Sequence, residues 1–133
     1  MNKSIRIIQT KEAALPGGHY AQATEYNGTV YVSGQLPVNA DGSHTFTESF
    51  EVQVKQALSN LLAILNAAGS NFEDLLKVTV YIVGVEHWPT FNRLYAEALG
   101  NAKPARAIVP VPELHFGYLI EIEAVAVVSK STL

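Results

Sequence analysis

No cysteine occurs in the 133 residues, which excludes disulfides, thiolate nucleophiles and zinc or iron–sulfur sites built on sulfur. Charge is scarce too, at 16% of residues against a globular average of about 25%. Positive charge is in deficit: nine Lys and Arg face twelve Asp and Glu, a net charge of −3. A chain-wide basic footprint for nucleic acid is therefore missing. No apolar run approaches the ~20 residues that a membrane helix needs, so no membrane partner is expected. The opening MNKSIRIIQTKEAA has neither an apolar h-region nor a small-residue cleavage site, and a cytoplasmic chain is expected. Repeats, linkers and low-complexity tracts are absent, so one domain over residues 1–133 is expected.

What is present is apolar, at 48% of residues with a mean hydropathy of +0.13. That excludes a disordered chain. A chain of this length buries roughly two-thirds of its unfolded surface, enough for a core without staples. A small chain short of surface charge hides apolar surface in a partner, so a homo-oligomer is expected.

Ser4–Gln9 is a short β-rich run, broken by Ala13–Gly18. His19–Tyr26 and Thr29–Ser33 flank Asn27-Gly28, a strong hairpin signal. Gly34–Ser43 reads as a loop. From Thr47 the period changes: Val54, Leu58, Leu61, Leu62 and Leu65 share one face of a helix, with Thr47 as N-cap and Gly69 at C′. Lys77–Val83 reads as a strand. Trp88–Leu99 reads as a second helix, with a stripe of Trp88, Phe91, Tyr95 and Ala98/Leu99 and Gly100 closing it. Ala105–Val111 and Leu119–Val128 complete the set as strands. The order β-β-β-α-β-α-β-β predicts an α+β fold, a mixed sheet with two helices packed on one face. In the last strand Ile120, Ile122, Ala124 and Ala126 take one face and Glu121, Glu123, Val125 and Val127 the other. Neither face is simply polar, so the second face needs cover that a single chain does not supply.

Few residues carry chemistry. Arg106 opens a strand of small and aliphatic residues; its guanidinium either pairs with a carboxylate of the protein or offers a bidentate fork to a small anion. Glu121 and Glu123, at i and i+2, are either edge carboxylates matched to cations or a group that positions a water. Tyr20, Ser33 and Gln35 lie beside glycines, where backbone either turns or approaches a ligand. His19, His44, His87 and His115 share no metal spacing, and no metal is expected. Ser33 has no obvious His/Asp relay, and no phosphate-binding glycine motif is present.

At these positions the chain resembles the Rid family (reactive intermediate deaminases, also called the YjgF family). The resemblance runs essentially end to end. It rests on Tyr20-Ala21-Gln22, on Val30 through Pro37 (VYVSGQLP), on Ala67-Ala68-Gly69 and on Val78 through Ile82 (VTVYI). It continues with Phe91 through Tyr95 (FNRLY), Lys103 through Arg106 (KPAR) and Ile120 through Ala124 (IEIEA). The family implies a chorismate-mutase-like fold of the bacillus type, assembled as a homotrimeric barrel with sites between subunits. It implies hydrolysis of enamines and imines such as 2-aminoacrylate or 2-iminobutanoate to a 2-keto acid and ammonia, without a cofactor. By resemblance Arg106 binds the substrate carboxylate and Glu121 holds the attacking water. Tyr20, Ser33, Gly34, Asn92 and His115 are then candidates to line the site. Two departures stand out. Ile108 occupies a position where the family often has Cys, and Pro112–Tyr118 (PELHFGY) differs from the usual loop, a change that bears on substrate choice. The alternative implied is a non-catalytic trimeric binder or regulator of 2-keto acids. The endoribonuclease activity reported for the family is disfavoured by the acidic balance.

Overall fold

The structure, a computed structural model, describes residues 4–129; the two ends of the expected 1–133 domain lie outside the described residues. Strands β1 (Arg6–Ile8), β2 (Ala23–Tyr26) and β3 (Thr29–Gln35) come first, then helix α1 (Phe50–Ala67) and strand β4 (Leu75–Ile82). Helix α2 (Trp88–Leu99), β5 (Ala105–Pro110) and β6 (Ile120–Val127) follow, in the element order expected. Asn27 and Gly28 both take positive φ, 54° and 87°, the signature of a type I′ turn whose twist matches that of the strands it joins.

The six strands form one sheet in the order β1-β2-β3-β6-β4-β5. All neighbours are antiparallel except β4 and β5. A parallel pair needs a crossover, which α2 supplies. Helix α1 packs on β3, β6 and α2, so the core lies between the sheet and the helices. Ile120, Ile122 and Ala126 are fully buried there, as are Val78 and Val80 of β4. The opposite face is another matter. The pairing row Ile7–Thr24–Tyr31–Val125–Lys77–Ala105 crosses it, and Ile7 and Tyr31 are 68% and 51% exposed. The described residues of the chain put no helix over it. Among them, no helix is long and apolar enough to cross a membrane.

Four local expectations need correcting. The N-cap of α1 is Ser49, not Thr47: its hydroxyl accepts from the Val52 amide at 3.2 Å. Starting there seats Phe50 in the core, stacked on His87 at 4.3 Å. Leu62 is only half-buried. On α2 the buried residues are Phe91, Leu94, Tyr95 and Leu99, whereas Trp88 is 46% exposed and Ala98 is exposed. Finally, β3 runs on to Gln35, so Gly34 is in a strand and not in a loop. Gly69 does close α1: it has φ 83°, and the amides of Gly69 and Ser70 return to the carbonyls of Asn66 and Leu65 as in a Schellman motif.

Candidate functional site

The pairing of β3 with β6 runs from Val32–Ala124 directly to Gln35–Ile122. Ser33 and Gly34 therefore stand against Glu123 alone, a β-bulge of the kind that re-aims side chains beside active sites. Gly34 has a steric reason to be glycine. A Cβ there would lie 2.7 Å from Glu121 Oε2 and 3.0 Å from its Cδ. The bulge thus lets backbone approach the Glu121 carboxyl closely.

Glu121 faces a cavity of about 780 Å³ that it lines together with Tyr20, Ser33, Gly34 and His115. Five of the residues expected in the site are thereby gathered in one place. The two glutamates of β6 are not equivalent. Glu123 Oε1 accepts from the Tyr81 hydroxyl at 2.5 Å, which raises the tyrosine's pKa. Glu121 has no donor within hydrogen-bond reach among the described residues. Burial pushes its pKa above the ordinary carboxylate range; nearby His115 opposes the rise and Glu123 adds to it. A carboxylate left without a protein donor is free to hold a water or a substrate N–H.

The other members present hydrogen-bonding edges. Ser33 Oγ donates to the Ala21 carbonyl at 2.7 Å, so its lone pairs, not its proton, face outward. The exposed Tyr20 hydroxyl accepts from the Gly17 amide at 3.3 Å and keeps its proton for a ligand. The segment bearing Tyr20 is pinned by Gln22, 2% exposed. Its carboxamide accepts from the Thr10 amide at 2.7 Å and donates to the Ala14 carbonyl at 2.9 Å. The far wall is held from α1, where Asn60 donates to the Val38 carbonyl at 2.8 Å and Gln53 accepts from the Leu119 amide at 2.9 Å.

Arg106 and Asn92 lie elsewhere. β5 is an edge strand, separated from β6 by β4. Arg106 pairs with Val78, which faces the helices, whereas Glu121 pairs with Tyr81 on the opposite face. Arg106 Nη1 donates to Asn92 Oδ1 at 3.1 Å, and the guanidinium sits 5.0 Å from the centroid of the Tyr95 ring. Among the described residues no carboxylate is paired with it. The structural reading of Arg106 as a partner of Glu121 or Glu123 is therefore not what the fold shows. Its remaining N–H groups form an unused fork, oriented by an amide and an aromatic face. No group of three His, Asp or Glu placed to hold a metal occurs among the described residues.

The family model described as Endoribonuclease L-PSP matches residues 10–128. A crystal structure from Yersinia pestis, YyfA of the conserved Rid protein family, superposes with a TM-score of 0.90 at 36% identity, covering 94% of this chain and 100% of that one. The chain belongs to the Rid family. A human relative named 2-iminobutanoate/2-iminopropanoate deaminase is 36% identical over 122 residues, 92% of this chain and 89% of that protein. The crystal structure of E. coli TdcF with bound serine has a TM-score of 0.87 at 32% identity, covering 95% and 99% of the two chains. The Rid family thus includes imine deaminases.

Sequence reasoning missed the supports of this candidate site. Gln53 and Asn60 stand on the buried face of α1, seven residues apart, amid Val54, Ala57 and Leu61. Polar residues kept on an apolar stripe were a readable signal, because buried amides need partners. Periodicity places Tyr95 only on the stripe of α2; its place under Arg106 follows from the packing of α2 beside β5.

Proposed function

We propose that this protein is an imine deaminase that hydrolyses 2-imino acids such as 2-iminobutanoate and 2-iminopropanoate at sites between the subunits of a homotrimer. The observation that carries the reading is the division of the site. One chain holds a carboxylate-bearing pocket around Glu121 and, on the other side of the sheet, a guanidinium with an unused fork, Arg106. A substrate with an imine carbon beside a carboxylate needs both. A neighbouring copy laid on the exposed outer face, with its Ile7 and Tyr31, brings a second set of each.

In this site Arg106 clamps the substrate carboxylate with two parallel N–H bonds, while Asn92 and Tyr95 fix the guanidinium. Glu121 accepts a proton from water as the water oxygen bonds to the imine carbon. The proton passes to nitrogen, the C–N bond of the resulting carbinolamine breaks, and the carbinol proton is lost. The products are a 2-keto acid and ammonia. Ser33 and Tyr20 offer an acceptor and a donor to orient water and substrate. An iminium carbon is already electrophilic, so orientation and proton handling suffice without a cofactor.

Two measurements test the reading. Light scattering should give three times 14.4 kDa; a stable monomer at micromolar concentration would remove the shared site. An amino-acid oxidase generating a panel of imino acids, with semicarbazone formation reporting their survival, should show imines consumed in proportion to added protein. Binding of 2-keto acids without imine loss would make the cleft a binding site for a regulator.

Gly34→Ala probes the bulge. The atom its Cβ meets at 2.7 Å is the end of a side chain, so Glu121 swings aside and the fold persists. Turnover should fall about 100-fold, the order expected for misplacing a catalytic group by about 1 Å. The melting temperature should move by no more than a few degrees. Unchanged turnover would mean that the close approach has no role.

A further inference from the structure

Phe116 stands out in the loop before β6. It is a non-glycine residue at φ 62° and ψ 10°, the left-handed region that bulky side chains avoid. Burial does not offset that cost, because Phe116 is 61% exposed. A strained residue persists where its surroundings over-determine it, which is characteristic of ligand sites.

Those surroundings are aromatic. The His44 ring lies 4.7 Å from Phe116 and 5.8 Å from Tyr118, and Phe116 meets Tyr118 edge-on at 6.2 Å. Tyr118 is fully buried, and its oxygen accepts from the Thr45 amide at 3.1 Å and lies 2.7 Å from His44 Nδ1. These two contacts hold the phenol oxygen in place, and the one to Nδ1 locks the plane of the imidazole. His44 in turn braces Phe116. Residues 74 apart in sequence thus build one rigid surface. His44 and Phe116 line the same cavity as Glu121, and so does Leu15, itself 59% exposed.

We infer that His44, Phe116 and Leu15 form an apolar wall for the substrate's side chain, and that the site prefers 2-imino acids with aromatic or large aliphatic side chains over those derived from small amino acids. The inference rests on the proposed deaminase reading for the identity of the ligand, but it concerns the wall, not the chemistry. An aromatic ring laid against Phe116 gains stacking as well as burial; a methyl group gains little of either.

Calorimetric binding of phenylpyruvate and pyruvate separates the two questions, because 2-keto acid binding does not depend on turnover. The wild-type protein should bind phenylpyruvate at least about tenfold more tightly. Phe116→Asn keeps a residue that tolerates positive φ and removes the ring; Phe116→Gly does the same with no side chain at all. In either variant the phenylpyruvate-to-pyruvate affinity ratio should fall about tenfold. Equal affinities in the wild type, a ratio unmoved in both variants, or no binding of either acid would overturn the inference. Loss of the trimer mass in both variants would assign Phe116 to a subunit contact and overturn it likewise. Preserved discrimination without any imine hydrolysis would leave the wall standing and remove the deaminase reading alone.

Discussion

Arg106→Lys is expected to lose imine hydrolysis by about 100-fold or more in kcat/KM, equivalent to roughly 2.7 kcal/mol of transition-state stabilisation. Trimer mass and melting temperature should hardly change. Lysine keeps the charge but offers no planar fork, so a bidentate grip on a carboxylate is lost while long-range attraction survives. It also gives up the guanidinium's contact with the Tyr95 ring and its bond to Asn92. Stability should be spared because no carboxylate of the described chain is paired with Arg106, so no buried ion pair is broken. A structural ion pair would forecast the reverse, since removing one partner of such a pair costs about 3–5 kcal/mol. Thermal melts beside the semicarbazone assay decide between the two. Full activity in Arg106→Lys would end the clamp.

Glu121→Gln should cut turnover by about 10²- to 10⁴-fold, the usual contribution of a positioned general base, yet leave 2-keto acid binding largely intact. The change removes the acceptor for the water's proton and leaves the anchor untouched. Its effect on stability has a definite sign. Burial raises the Glu121 pKa in the folded state, so the folded protein holds that proton more tightly than the unfolded chain. As pH rises from the ordinary carboxylate value of about 4.3 through the raised one, ionisation in the unfolded chain is the easier, and the fold loses stability. Above that window the glutamine variant should therefore melt at the same temperature as the wild type or higher. The same shift places the acid limb of the wild-type kcat/KM profile above the ordinary carboxylate range, because only the ionised form accepts the proton. A limb at or below that range, or one that persists in Glu121→Gln, would assign proton transfer to another group.

Much of the molecule was legible in its residues. The Asn27-Gly28 hairpin, the close of α1 at Gly69 and the alternation of β6 are set by backbone preference and periodicity over a few residues, and the structure has all three. The α1 stripe holds except at Leu62, which is only half-buried. Thr47 and Ser49 show where local reading fails. Both are good caps two residues apart, and the choice falls to Ser49 because starting there buries Phe50 against the core. Trp88 fails for a similar reason: it continues the periodic stripe, but α2 docks through Phe91, Leu94, Tyr95 and Leu99, leaving its first residue outside the contact. The site divides along the same line. The types of its candidate residues, an arginine in an apolar strand and glutamates alternating with isoleucines, were visible in the sequence.

The sequence by itself determined the element order, the faces of α1 and β6, and the absence of sulfur chemistry and of an apolar run long enough for a membrane helix. Only the tertiary structure decided that β6 lies between β3 and β4, that the bulge at Ser33-Gly34 opens onto Glu121, and that Arg106 and Glu121 fall on opposite faces of the sheet. It alone set His44 against Tyr118. The reason is physical: caps, turns and periodicity act through neighbours along the chain. Strand order, register and the meeting of distant side chains depend on non-local hydrogen bonds and packing, whose partners no short stretch of sequence specifies.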